Sequence, residues 1–203
     1  MMRAARMSAL GLAAAALIAV AGWAGYLAFM PPAPERAAET GAGVAIGGPF
    51  TLVDQTGRTV HDTDYRGRMM LISFGYTTCP DVCPTTLASI SRALDQLGAD
   101  AERVQPLFIT IDPERDTPEA LAAYVPHFHP SLIGLTGTPA QIAAVAKAYK
   151  VYYAKAGGAA AGEDYLMDHS TIVYLMGPDG RLLTYLPNAT DPDALAARIR
   201  EYF

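Results

Sequence analysis

The sequence predicts an α/β sandwich, a sheet covered by helices, preceded by one membrane-spanning helix. Three observations carry that expectation. From Pro49 onward, apolar strand-like runs alternate with segments of helical spacing, and a hairpin signal lies near each end of the series. Met7–Met30 is a run of 24 residues without a charge, and about 20 apolar residues cross a bilayer's hydrocarbon core. Between the two, residues 31–48 are rich in Pro, Ala and Gly and read as a flexible tether. The chain therefore divides into an anchor (1–30), a tether (31–48) and a globular domain (49–203).

Arg3 and Arg6 precede the apolar run, and Trp23, Tyr26 and Phe29 sit late in it, where an outer aromatic belt would fall. A cleaved signal peptide has a shorter apolar centre, about 7–15 residues, so the length favours an uncleaved anchor with everything after Pro31 on the far side of the membrane. In the globular part, Phe50–Asp54 and Arg58–His61 flank Gln55-Thr56-Gly57 as a hairpin. Met69–Tyr76 is a buried strand, and Leu87, Ile90, Leu94 and Leu97 mark the apolar face of the helix after it. Val104–Ile111 is a second buried strand. Thr117-Pro118 and Thr138-Pro139-Ala140-Gln141 read as helix starts, the latter with a capping box. Thr171–Met176 and Arg181–Leu186 flank Gly177-Pro178-Asp179-Gly180, and a last helix from Asp191-Pro192 buries Leu195, Ile199 and Tyr202. This order implies two parallel strands from crossover units and then an antiparallel hairpin, an α/β sandwich to which the cysteine motif below adds the thioredoxin-like name.

Composition excludes several classes. Residues after Met30 hold 13 bases against all 20 acids, a net of −7, so there is no basic surface for nucleic acid. Two cysteines rule out a disulfide-dense scaffold and a four-cysteine zinc site.

Both cysteines fall in Gly75-Tyr76-Thr77-Thr78-Cys79-Pro80-Asp81-Val82-Cys83-Pro84, the turn from a buried strand into a helix. In open α/β sheets that carboxyl edge holds ligand sites. With Pro84 at the first helical position, Cys83 is the cap and Cys79 lies on the preceding loop, where helix-start N–H groups favour thiolate. A purely structural disulfide is the alternative, but closing so short a loop stabilises a fold by only about 2 kcal/mol, against about 4.7 for a 100-residue loop. His169, in Asp168-His169-Ser170, precedes the strand Thr171–Met176. If that strand runs antiparallel to Met69–Tyr76, His169 faces the cysteines. Two thiolates and an imidazole suit a soft ion such as Cu(I), whereas a structural zinc would want a fourth ligand. Asp168 is a candidate to orient His169 from outside the ligand set.

Cys79-Pro80-Asp81-Val82-Cys83-Pro84, Asp112-Pro113-Glu114-Arg115-Asp116-Thr117-Pro118, Phe128-His129-Pro130 with Gly134-Leu135-Thr136-Gly137, and Asp168-His169-Ser170 together resemble the Sco/SenC family. Its members are membrane-anchored, thioredoxin-like copper chaperones for cytochrome c oxidase. The resemblance runs from about Phe50 to Phe203. It implies that Cys79, Cys83 and His169 bind copper, as Cu(I) with Cu(II) a second state, and that the metal goes to the CuA centre of oxidase subunit II. It also implies a metallochaperone more than an enzyme, with thiol–disulfide activity a further possibility, and the N-terminal anchor points to a bacterial inner membrane with the domain in the periplasm. A second periplasmic copper carrier or a thiol reductant would be a further partner.

The main alternative is a thiol–disulfide reductase that keeps the partner's CuA cysteines reduced; redox enzymes of this fold usually use C-x₂-C. A peroxiredoxin is excluded, since Ile72 and Tyr76 stand where that class needs Pro and Thr. His127 and His129 sit between prolines in a loop and read as scaffold. Met69 and Met70 read as core, and Met167 as core or an auxiliary contact. Asp112, Glu114 and Asp116 read as either a cation-attracting or docking edge, or a solvated loop with helix-start acids.

Overall fold

The computed structural model describes residues 45–157, 165–187 and 191–203, all within the compact unit Ala45–Phe203. The Met7–Met30 span and residues 31–44 of the tether lie outside the described residues. Among the described residues, no helix is long and apolar enough to cross a membrane. The end of the segment read as tether lies on the domain instead, with the Gly47 N–H donating to the Ala148 carbonyl at 3.0 Å.

In chain order the elements are β1 (Thr51–Asp54), β2 (Thr59–His61), β3 (Met69–Gly75), α1 (Val82–Leu97), β4 (Val104–Thr110), α2 (Pro118–Tyr124), β5 (Ile133–Thr136), α3 (Pro139–Tyr149), β6 (Tyr153–Lys155), β7 (Met167–His169), β8 (Ile172–Met176), β9 (Leu182–Pro187) and α4 (Pro192–Arg200). The helix starts follow local chemistry. Thr117 accepts the Ala120 N–H, Thr138 and Gln141 close a reciprocal box, and Asp191 accepts from Asp193 and Ala194.

Seven strands form one sheet in the order β2-β1-β5-β4-β3-β8-β9, with β3, β4 and β5 parallel. The sequence predicted two parallel strands. The third, β5, is only four residues long and contains Gly134, so its periodicity is weak, and it joins the N-terminal hairpin to the sheet through β1. Strand alternation divides the core into two layers. Met69 and Leu71 of β3 face one way, with Val173 and Leu175 of β8, onto α1, α2 and α4; Met70, Ile72 and Phe74 face the other, with Tyr174 and Met176, onto α3. β3 and β4 are buried along their whole length, as parallel strands covered on both faces must be. Tyr202 departs from expectation: it lies beyond the end of α4, is 37% exposed, and donates its hydroxyl to the Leu183 carbonyl.

Candidate metal centre

β8 runs antiparallel to β3 in the register Met70↔Met176 to Ser73↔Val173, so the start of β8 lies beside the end of β3. The cysteine loop leaves β3 at that edge. His169 arrives there on β7, which pairs with β6 as a separate two-stranded sheet, Tyr153 opposite His169. The sequence places His169 just before the strand Thr171–Met176; the structure adds a strand of its own there, and that pairing fixes the histidine's backbone. Both cysteines are free thiols, and one donor atom from each of Cys79, Cys83 and His169 lies within 4.8 Å of the others. His169 Nε2 is 3.5 Å from Cys83 Sγ.

The histidine is oriented by the backbone. Its Nδ1–H donates to the Ser170 carbonyl at 3.0 Å, which leaves the Nε2 lone pair turned to the sulfurs. Asp168, a candidate either to orient the ring or to stand as an exposed carboxylate, is exposed. Alternation along β7 explains this, because neighbouring residues in a strand point to opposite faces.

The sulfurs have unlike surroundings. α1 opens at Val82, two residues earlier than the sequence suggested, so Cys83 is its second residue rather than its cap. Pro84 is tolerated at the third position because N–H groups of the first turn have no intrahelical partner to lose. The Cys83 N–H donates to Cys79 Sγ at 3.5 Å, so the helix start serves Cys79. Cys83 is only 4% exposed. Burial pushes its thiol well above the ordinary range, against a main-chain N–H from Tyr76 that pulls it back. The expectation that the helix start would favour thiolate does not hold for Cys83, because burial outweighs the one main-chain N–H that opposes it. Cys79 and His169 line an open cleft of about 340 Å³ with Tyr76, Asp81 and Met167. Cys83 and His169 border an inner cavity of about 10 Å³ beside Ser73, Thr86 and Phe108.

Gly75 and Tyr76 are site residues that pattern reading missed, although both stand in the cysteine motif. A Cβ at Gly75 would lie 2.6 Å from Cys83 Sγ and 2.8 Å from the Phe108 ring. The signal was a glycine closing an otherwise unbroken apolar strand, which marks a close approach. Gly75→Ala is expected to displace the Cys83 sulfur, to weaken metal uptake, and to cost about 1–3 kcal/mol in urea unfolding as overpacking does. Unchanged stability together with unchanged uptake would show that the contact is slack. The Tyr76 ring stands edge-on to the His169 ring at 5.9 Å.

The acidic loop is neither solvated nor an open cation site. Asp116 is fully buried and accepts from the Thr77 N–H (3.0 Å), the Thr77 hydroxyl and the Thr110 hydroxyl (2.6 Å), tying the cysteine loop to the end of β4. Burial raises its pKa while those donors oppose the rise. Asp112, also buried, pairs with Arg115 and takes the Tyr165 hydroxyl at 2.6 Å, and Arg115 donates to the Tyr165 carbonyl, so the chain entering β7 is pinned. Only Glu114 is exposed, paired with Lys155 at 2.7 Å. Asp112 and Asp116 face inward because the donors they take would otherwise be buried without partners. Met69 and Met70 are core. Met167 is buried and its N–H donates to the Tyr76 hydroxyl. His127 is exposed, and His129 pairs with Ser131; neither joins the Cys–Cys–His group.

A crossover sheet with a dithiol at its carboxyl edge, completed by a strand-borne imidazole, defines a thioredoxin-like domain carrying a soft-metal donor set. The SCO1/SenC family model matches residues 38–203, and the chain belongs to that family. "Protein SCO1 homolog, mitochondrial" of Homo sapiens is 47% identical over 156 residues, 76% of this chain and 52% of the human protein. The SCO2-like protein RC0895 of Rickettsia conorii is 41% identical over 157 residues, covering 77% of each chain. The chain thus spans about half the length of the human relative. Among solved structures, Bradyrhizobium japonicum ScoI with copper bound is 46% identical, with TM-score 0.72, over 78% of this chain and 100% of that one. Yeast Sco1 with copper bound is 38% identical, with TM-score 0.72, over 78% and 88%.

Proposed function

We propose that this chain is a membrane-anchored copper chaperone that takes up Cu(I) through Cys79, Cys83 and His169 and delivers it to the CuA centre of cytochrome c oxidase subunit II. The observation that carries the reading is the convergence of two sulfurs and an imidazole nitrogen within 4.8 Å, from segments far apart in sequence. The donor set fits the ion: thiolate selects Cu(I), and imidazole suits copper. The relatives solved with copper support it, and the destination rests on the family resemblance. Uptake displaces the proton that burial keeps on Cys83, while His169 enters as neutral imidazole with its Nδ1–H held by Ser170. Cys79 and His169 line the open cleft, so a partner's ligands meet them first and Cys83 releases last. Titrating the reduced full chain in detergent with Cu(I) should give one bound ion with sulfur and nitrogen ligands by X-ray absorption. No uptake above background would end the proposal.

A second reading, reduction of the partner's CuA cysteines, is favoured by the free thiols four residues apart at a helix start. The proposed location is the bacterial inner membrane, single-pass, with the domain in the periplasm, supported by the uncharged Met7–Met30 run behind Arg3 and Arg6. The full chain is then expected to sediment with membranes and to resist alkaline carbonate. Recovery as a soluble protein lacking about its first 25 residues would instead reveal a cleaved signal.

A further inference from the structure

The three donors sit on two separate sheets. The cysteine loop leaves β3 of the seven-stranded sheet, whereas His169 lies on the β6–β7 hairpin, which shares no strand pairing with that sheet among the described residues. Three residues a strand make a hairpin of marginal stability by itself. Its underside is not closely packed either: a cleft of about 160 Å³ lies between it and the loop after β4, lined by Ile111, Pro113, Tyr153, Ala154 and Met167. Polar contacts centred on Tyr165, which leads into β7, span that gap. The Tyr165 hydroxyl donates to Asp112 at 2.6 Å, and the Arg115 guanidinium donates to the Tyr165 carbonyl at 2.9 Å. Two cations lie over the Tyr165 ring, Arg115 at 3.8 Å and Lys155 at 4.2 Å from its centre. Lys155 also pairs with Glu114 at 2.7 Å, but both are exposed, and such pairs contribute little. Asp112 is 2% exposed, so its charge-assisted bond to the hydroxyl is the strong member of the set.

We propose that Tyr165 is a positioning residue for His169: by latching the β6–β7 hairpin to Asp112 and Arg115, it holds the imidazole against the dithiol in the metal-receiving arrangement. The hairpin is tied to the fold at its root, where Ser170 runs on into β8, so release of Tyr165 lets the hairpin lift and carry His169 off the sulfurs. Only the latched state presents all three donors, so apparent Cu(I) affinity scales with the latched fraction. The Met167 N–H marks that state, because its bond to the Tyr76 hydroxyl, at 3.2 Å, crosses from the hairpin to the chain leaving β3. The copper consequence rests on the chaperone reading; the latch itself does not.

The test is Tyr165→Phe in the full chain in detergent, a change that keeps the ring and removes only the hydroxyl. Cu(I) affinity, by competition with a chelating dye, should fall about tenfold, the lower end of what a hydrogen bond to a charged group contributes. In a His169→Ala background the same substitution should change affinity by less than about twofold, because a residue that acts through the imidazole has nothing left to position there. In the metal-free protein, hydrogen exchange of the Met167 amide should speed up by a factor similar to the affinity loss, while the amides of β3 and β4 keep their wild-type rates. Unchanged Cu(I) affinity in Tyr165→Phe would overturn the inference, as would unchanged Met167 exchange. An equal affinity loss in both backgrounds would also overturn it, since a general loosening of the domain does not act through His169. A wild type that takes up no copper, with faster Met167 exchange in the variant, would defeat the chaperone reading and leave the latch standing.

Discussion

Copper(I) uptake by the full chain is expected to fall from one equivalent to background when Cys79→Ser and Cys83→Ser are combined. Serine offers a harder, uncharged oxygen where the ion takes a thiolate, so the loss is one of ligand chemistry. The fold should survive, because serine is close to cysteine in size. Oxidising the wild type to the Cys79–Cys83 disulfide should have the same effect and reverse on reduction. The pH dependence has a defined sign. Uptake displaces the Cys83 proton, so apparent affinity should rise with pH, by about tenfold per unit for each proton displaced. Equal uptake by the double variant and the wild type would place the metal elsewhere.

His169→Ala separates the two functional readings. Dithiol chemistry needs Cys79, Cys83 and the first-turn N–H that Cys79 accepts; none of these passes through the imidazole. A three-donor copper site does need it. Loss of only an outer partner of a metal-bound histidine costs about 10–100-fold, so removing the ring itself should cost at least that in Cu(I) affinity. Reversible Cys79–Cys83 oxidation should persist. In cells at ordinary copper supply, a chaperone lacking His169 should fail in oxidase assembly about as fully as the cysteine variants. Normal assembly with a normal CuA signal in that strain would promote the reductase reading over the chaperone.

The readable part of this protein is the part decided within a few residues. Thr117, Thr138 and Asp191 announce their helices because a cap bonds N–H groups two or three positions on. β3, β4 and the β8–β9 hairpin are legible because their apolar runs and the Gly177–Gly180 turn are local signals. The meeting of Cys79, Cys83 and His169 was legible too, once β8 was taken as antiparallel to β3.

Local patterning delivered six of the nine strands, the four α-helices, the cysteine pair at a strand-to-helix turn and the histidine, but not β5, β6 or β7. Tertiary structure alone decided which groups surround them. β7 had to pair with β6 before Asp168 turned outward and the Ser170 carbonyl took the Nδ1–H of His169. Asp112 and Asp116 look like surface acids in a Pro-containing loop, yet both are buried, because the donors that satisfy them come from Thr77, Thr110, Arg115 and Tyr165. The helix start was expected to favour thiolate, but Cys83 is buried close against Gly75 and the cost of burying charge prevails. Hydrogen-bond partners and local dielectric depend on residues up to about ninety positions away, as with Met167 on Tyr76; no local pattern encodes them, and only the packed chain brings them together.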